Sequence, residues 1–227
     1  MLGRSRERIL ARLSDDDLVL DVGGGARPFE RADWVLDLVA YDDRAPAANA
    51  PAERFTRATW VSRDACDREP WPFEDGRFDF AICSHTLEDV RDPVWVCSEL
   101  CRVARAGYVE VPSRLEEQSW GVVGPWVGWS HHRWLADVSP GRIEFVHKPH
   151  ALHGRESDHF PPGFHDRLSD EDRVEELWWE GSFEYGERIF LEAGGLDAHL
   201  RAPVERRGGP SRGWELRRRL GRLVSGA

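Results

Sequence analysis

The chain has 227 residues, 41% hydrophobic and 32% charged, with 11 Trp and a formal net charge of −10. That length suits one large domain and leaves no room for several, and the apolar content excludes general disorder. No stretch approaches a membrane span and the first residues lack the apolar run of a secretory signal, so the expectation is a cytoplasmic protein without a membrane span, its four cysteines (Cys66, Cys83, Cys97, Cys101) reduced.

The charge is uneven: residues 201–227 hold eight Arg and two Glu, which leaves the preceding 200 residues strongly acidic. An acidic body repels phosphates, so nucleic acid is not expected as a partner and a small molecule is. Oligomeric state is left open.

In chain order, Ser5 to Leu13 carries Ile9, Leu10 and Leu13 at helical spacing among arginines, the pattern of an amphipathic helix lying on the domain. Leu18 to Val22 is an apolar strand that enters the turn Gly23-Gly24-Gly25, and Trp34 to Leu38 is a second strand with Asp37 near its end. Residues 26–33 between them are too few for a full crossover. A third strand is expected around Thr59 to Arg63 and a fourth from Phe78 to Cys83. A helix from Pro93 to Ala104 and a fifth strand from Tyr108 to Val111 follow. This alternation predicts an α/β fold with a Rossmann-like, doubly wound, mostly parallel sheet.

Beyond Pro112, Trp120, Trp126, Trp129 and Trp134 among glycines suggest an aromatic cap. Arg142 to His147 fits a strand, and Ser169 with Asp172 reads as a capping box opening a helix through Trp179. Arg188 to Ala193 fits either a helix ended by Gly194-Gly195 or a late strand. The whole is expected to be a single domain, with a cofactor half (1–112), a cap that bears the substrate (113–182) and C-terminal elements (183–227) whose basic tail, Ser211 to Val224, carries a leucine stripe suited to docking on the acidic body.

The glycine turn is the centre of the functional reading. A dinucleotide fingerprint starting at Gly23 would place its third glycine at position 28, which is proline, so pyrophosphate-containing cofactors are disfavoured. Asp21, Asp37 and Asp64 at successive strand ends instead suit a phosphate-free ligand with ribose hydroxyls, an amino group and a positive charge.

In these motifs the sequence resembles the class I S-adenosylmethionine-dependent methyltransferases, in their small-molecule branch. Leu20 to Gly25 is similar to the family's first motif and Asp37 to its ribose-binding acid. Asp64-Ala65 with Trp71 to Gly76 is similar to its adenine-side motif, and Phe78 to Pro93 to its fourth-strand block. The resemblance spans residues 18–112. It implies S-adenosyl-L-methionine as cofactor, held by Asp21, Gly23, Gly24, Gly25, Asp37, Leu38, Asp64, Ala65 and Ser84, with His85 facing the methyl group as a base. Asp89 stands where relatives often have His.

Seven of the nine histidines fall between His131 and His165. Their spacing leaves open a metal site, a substrate pocket or solvent-exposed loops, and no metal ligand set is assigned. His131 and His132, beside Trp129 and Trp134, are the candidates for a substrate-side catalytic role. Besides a small-molecule methyltransferase, the sequence admits a metal-dependent enzyme centred on the histidines, or a non-catalytic binding module on the same fold.

Overall fold

The computed structural model describes residues 1–25, 27–44 and 52–207; the basic tail from Ser211 onward lies outside them. Helix α1 (Gly3–Arg12) precedes strands β1 (Val19–Val22), β2 (Trp34–Asp37), β3 (Trp60–Ser62) and β4 (Phe80–Ser84), then helix α2 (Pro93–Val103) and strand β5 (Ala106–Pro112). A short helix α3 (Arg114–Glu117) leads to β6 (Trp134–Ser139), β7 (Arg142–His147), β8 (Val174–Glu180), β9 (Glu184–Glu187) and helix α4 (Gly195–Arg206). The central sheet has the order β3-β2-β1-β4-β5-β8, with β1 to β5 parallel and β8 antiparallel at its edge. The order reverses between β1 and β4, which places the ligand crevice of such a sheet at their carboxyl ends.

Alternation along the strands sorts two cores. Val19, Val35, Phe80 and Tyr108 face one side, where Ile9 of α1, Phe29 and Phe55 cover them. Leu20, Val22, Leu36, Ala81 and Val109 face the other, beneath Val96, Cys97 and Leu100 of α2. Helix α2 starts where expected because Asp92 caps it, its Oδ1 accepting from Trp95 N at 2.9 Å, with Pro93 in the first turn.

The fold class is therefore mixed α/β with a mostly parallel Rossmann-like sheet. Its helical layers are thinner than the sequence pattern suggests: among the described residues, α2 is the one regular helix between β1 and β5. Residues 27–33 of the short first crossover form turns, anchored where Asp21 Oδ2 accepts from Phe29 N at 2.6 Å.

Two expectations for the C-terminal half need correction and a third needs extension. Residues 174–180 form a strand rather than a helix. Ser169 and Asp172 do exchange the hydrogen bonds of a capping box, Asp172 N donating to Ser169 Oγ at 3.1 Å, but they close only a turn. Period-two burial then prevails, with Leu177 and Trp179 facing one core and Trp178 the other, and β8 pairs with β5 over seven residues. Arg188 to Ala193 is neither helix nor strand, and Gly194 (φ +80°) opens α4 instead of closing a helix. Finally, the region beyond Pro112, expected as a cap within the single domain, also contributes to the sheets. It supplies β8 to the central sheet, and β6, β7 and β9 form a second sheet whose Ala136, Ile143 and Phe145 enter the core under α2.

Ile9 is fully buried and docks α1 on the sheet. Ile9→Ala is expected to lower unfolding free energy by about 2–4 kcal/mol through lost burial and a residual cavity, measured by urea denaturation with an unchanged slope.

Candidate active site

The glycine turn after β1 divides into two kinds of glycine. Gly23 (φ +74°) is demanded by the protein itself, since a Cβ there would lie 2.3 Å from Thr86 Oγ1. Gly24 is likewise closed in, by Asp21 and Pro28. Gly25 (φ +57°) is different: a Cβ on it would meet nothing within 4 Å among the described residues, so the turn leaves its backbone uncovered by them here.

Asp37, buried at the end of β2, holds this turn. Its Oδ2 accepts from Gly25 N and its Oδ1 from Val39 N, each at 2.7 Å, which leaves further lone pairs for donors from a ligand. The next residue, Leu38, is 74% exposed, an apolar side chain standing free beside the carboxylate. Burial, reinforced by neighbouring Asp37, pushes the Asp21 carboxyl up to about 7 against the opposing hydrogen bond from Phe29 N. A cation nearby would relieve that cost.

The adenine-side candidates are engaged with protein groups. Asp64 Oδ1 accepts from Cys66 N at 2.8 Å and its Oδ2 lies 3.1 Å from Arg91 Nη1, while the Ala65 carbonyl accepts from Trp71 Nε1 at 3.0 Å. Thr86, which the sequence reading passed over, ties the halves of the crevice together, its hydroxyl lying 3.2 Å from Gly23 O and 3.3 Å from Ser84 O.

Beyond Thr86, at the carboxyl ends of β4 and β5, lies a pocket of about 520 Å³. His85, Glu88, Glu110 and Glu116 line its inner side, Trp129, His131, His132 and Asp89 one wall, and Leu2 and Gly3 of the α1 entry another. The structure thus brings His85, His131 and His132 together. His147, His150, His153, His159 and His165 do not join them in its lining: His165 Nδ1 pairs with Glu116 behind the wall, and His153 Nδ1 accepts from Val127 N.

Glu110 is the organising group of this pocket. It is fully buried in β5 and accepts from Ser84 Oγ (3.1 Å), Tyr108 Oη (2.5 Å) and Leu2 N (2.8 Å), while His85 Nε2 lies 3.0 Å from its Oε1. Although burial opposes it, hydrogen bonding by His85 and Tyr108 holds the Glu110 carboxyl well below its usual range. Its signal in the sequence was a single acid inside the apolar run Tyr108-Val109-Glu110-Val111. Glu88, also buried, has among the described residues no hydrogen bond to either carboxylate oxygen and one ionic neighbour, His85 Nδ1 at 3.4 Å.

His85 itself sits in left-handed backbone (φ +52°), rare for a non-glycine residue and a source of local strain. Burial lowers its imidazole pKa, but Glu110 and Glu88 outweigh that and raise it from 6.5 to about 9. At neutral pH it is an imidazolium, a donor between two acids, rather than the free base that the sequence suggested.

Residues 20–109 match the family described as "Methyltransferase domain", and no curated protein matches the chain. Solved S-adenosylmethionine-dependent methyltransferases resemble it at low identity. One from Mesorhizobium loti is 18% identical, with 63% of each chain covered and a TM-score of 0.36. One from Aquifex aeolicus is 21% identical over 48% of this chain and 64% of that one, at 0.35. A third, from Methanosarcina mazei, is 21% identical over 47% and 57%, at 0.33. The chain spans about half the length of several others, among them a Haloferax volcanii protein solved in complex with a methyltransferase activator. Residues 20–109, less than half of the chain, thus match the methyltransferase-domain family over the segment that runs from β1 into β5. A domain of this class implies S-adenosylmethionine as its cofactor.

Because the folded pKa of His85 is raised, its stabilising contribution is complete below about pH 6.5 and is lost as pH rises through about 9. The stability gap between wild type and His85→Gln is therefore expected to be widest at pH 6 and closed by pH 10 in denaturant unfolding. An NMR titration of the His85 ring is expected to give a midpoint near 9 that falls toward 6.5 in Glu110→Gln.

Proposed function

We propose that this chain transfers a methyl group from S-adenosylmethionine to a small-molecule acceptor held in the pocket at the ends of β4 and β5. The observation that carries this reading is the adjacency of two sites through Thr86: the open backbone and strand-end acids of the glycine turn on one side, and an acid- and histidine-lined pocket of about 520 Å³ on the other. That volume lies in the range of small-molecule sites.

The residues of the turn fit the donor. Gly25 leaves its backbone uncovered, Asp37 keeps acceptor capacity for ribose hydroxyls, and exposed Leu38 offers an apolar surface to an adenine face. The Asp21 and Asp37 pair favours a positively charged ligand. Asp64 and Ala65 would read the adenine edge once Arg91 yields its contact with Asp64, and Ser84 would lie toward the reacting end. When bound, the donor supplies an electrophilic methyl carbon on a sulfonium.

The chain's own residues then align the acceptor and manage its proton. His85, as imidazolium, donates a hydrogen bond to Glu110 and favours its ionised form. Glu88, with no hydrogen bond at Oε2, is the group that takes a proton from an acceptor hydroxyl or ammonium. His131 and His132 form the opposite wall with Trp129, which stacks on His132 at a ring separation of 5.8 Å. The predominance of acids suits an acceptor that is cationic or rich in hydroxyl donors.

Calorimetric titration with S-adenosylmethionine tests the donor half. Asp37→Asn is expected to weaken binding by about 1–3 kcal/mol, five- to 150-fold, with an unchanged circular dichroism spectrum; unaltered affinity rejects the assignment. Glu88→Gln is expected to lower kcat at least tenfold on an accepted substrate while leaving donor affinity intact.

A further inference from the structure

We propose that Asp89, His131 and His132 form a binding site for a divalent first-row transition metal in the wall of this pocket, with its exchangeable positions facing the cavity. His131 Nε2 lies 4.0 Å from Asp89 Oδ2 and His132 Nε2 lies 3.9 Å from Asp89 Oδ1. One ligand atom from each of the three residues falls within 4.8 Å of the others. Donors around an ion at about 2.0–2.2 Å lie at most about 4.4 Å apart, so both carboxylate–imidazole separations already suit a shared metal. Closing the remaining distance needs only side-chain rotation, and His131, 60% exposed, is free to make it.

Two further observations distinguish this cluster from a surface ion pair. The first is a built outer shell. His132 Nδ1 is 2.5 Å from Glu117 Oε1, and Lys148 Nζ is 2.7 Å from the other oxygen of the same carboxylate, all three side chains being buried. Lys148 Nζ also donates to the Trp129 carbonyl at 2.8 Å. A carboxylate on Nδ1 places the ring proton there and leaves Nε2 as a lone-pair donor aimed at Asp89, the arrangement that orients metal-bound imidazoles. The second is an orphaned acceptor: on a side chain that is otherwise 41% exposed, Asp89 Oδ1 is shielded from solvent and has no hydrogen-bond partner among the described residues, although it lies 3.9 Å from His132 Nε2. A buried carboxylate oxygen without a donor is costly, and a cation satisfies it.

Two imidazoles and one carboxylate on one side of an ion leave positions open for water or an oxygen or nitrogen atom of a bound molecule. This donor set favours zinc or iron(II) over magnesium or calcium, which prefer oxygen ligands throughout. The site stands on protein atoms alone and is independent of whether the glycine turn binds S-adenosylmethionine.

The test is titration of the chelator-treated full chain with Zn²⁺ by calorimetry, and with Co²⁺ by visible absorption. The expected result is one ion per chain with a dissociation constant on the order of micromolar or tighter. The absorption bands should be those of a nitrogen- and oxygen-ligated cobalt, and affinity should fall at least tenfold in Asp89→Asn and in His131→Ala. Because His131 is exposed, its variant keeps the fold, and Glu117→Gln is expected to weaken binding about 10- to 100-fold without removing a ligand. His147→Ala, outside the pocket lining, should bind as wild type. Absence of saturable binding, or binding that survives in the double variant Asp89→Asn/His131→Ala, overturns the proposal. S-adenosylmethionine affinity measured on the same variants reports separately on the donor site.

Discussion

The arrangement depends on one buried charge. Glu110 lies in β5, a strand whose seven residues are all buried, where an isolated carboxylate would cost several kcal/mol. It is tolerable only because every element around it contributes a donor: the end of β4 through Ser84 and His85, its own strand through Tyr108, and the entry to α1 through Leu2. Tyr108 extends the network to Glu176 on β8 at 2.9 Å, and Ser5 of α1 reaches the same carboxylate. One acid thereby fixes the relative positions of three elements that wall the pocket.

The same economy explains why His85 is held in left-handed backbone. Any residue at the end of β4 has its N–H committed to the Glu110 carbonyl at 2.9 Å, and the positive φ turns the imidazole back over β5 toward the Glu110 side chain. Local strain is offset by two ionic contacts, with Glu110 and Glu88. The outcome is a cation built into an acidic pocket, standing between two carboxylates and offsetting their mutual repulsion.

The parallel half of the fold was legible because its signals are local and periodic. Short apolar strands, an Asp-Pro helix start and a triple-glycine turn each carry their own physics, and the elements lie within a residue or two of expectation. The C-terminal half was not, because its structure is decided by tertiary partners. Val174 to Glu180 has a helix-like entry at Ser169 and Asp172 but finds an open strand edge at β5, and pairing along seven residues overrides the local cue. The site divided in the same way. His85, His131 and His132 were visible as histidines, but the acids that define their chemistry, Glu88, Glu110 and Glu117, are buried charges whose significance appears only when their neighbours are known. The tail from Ser211 lies outside the described residues.

The antiparallel partner of β5 arrives late. More than sixty residues separate Pro112 from Val174, and two strands of the second sheet, β6 and β7, are threaded between them. During synthesis the nascent parallel layer emerges with its β5 border bare, a template for adhesion to other chains until β8 seals it. Burial of Trp179 on β8 accompanies the closing of that border, a long-range step that comes after the more local assembly of β1 to β4.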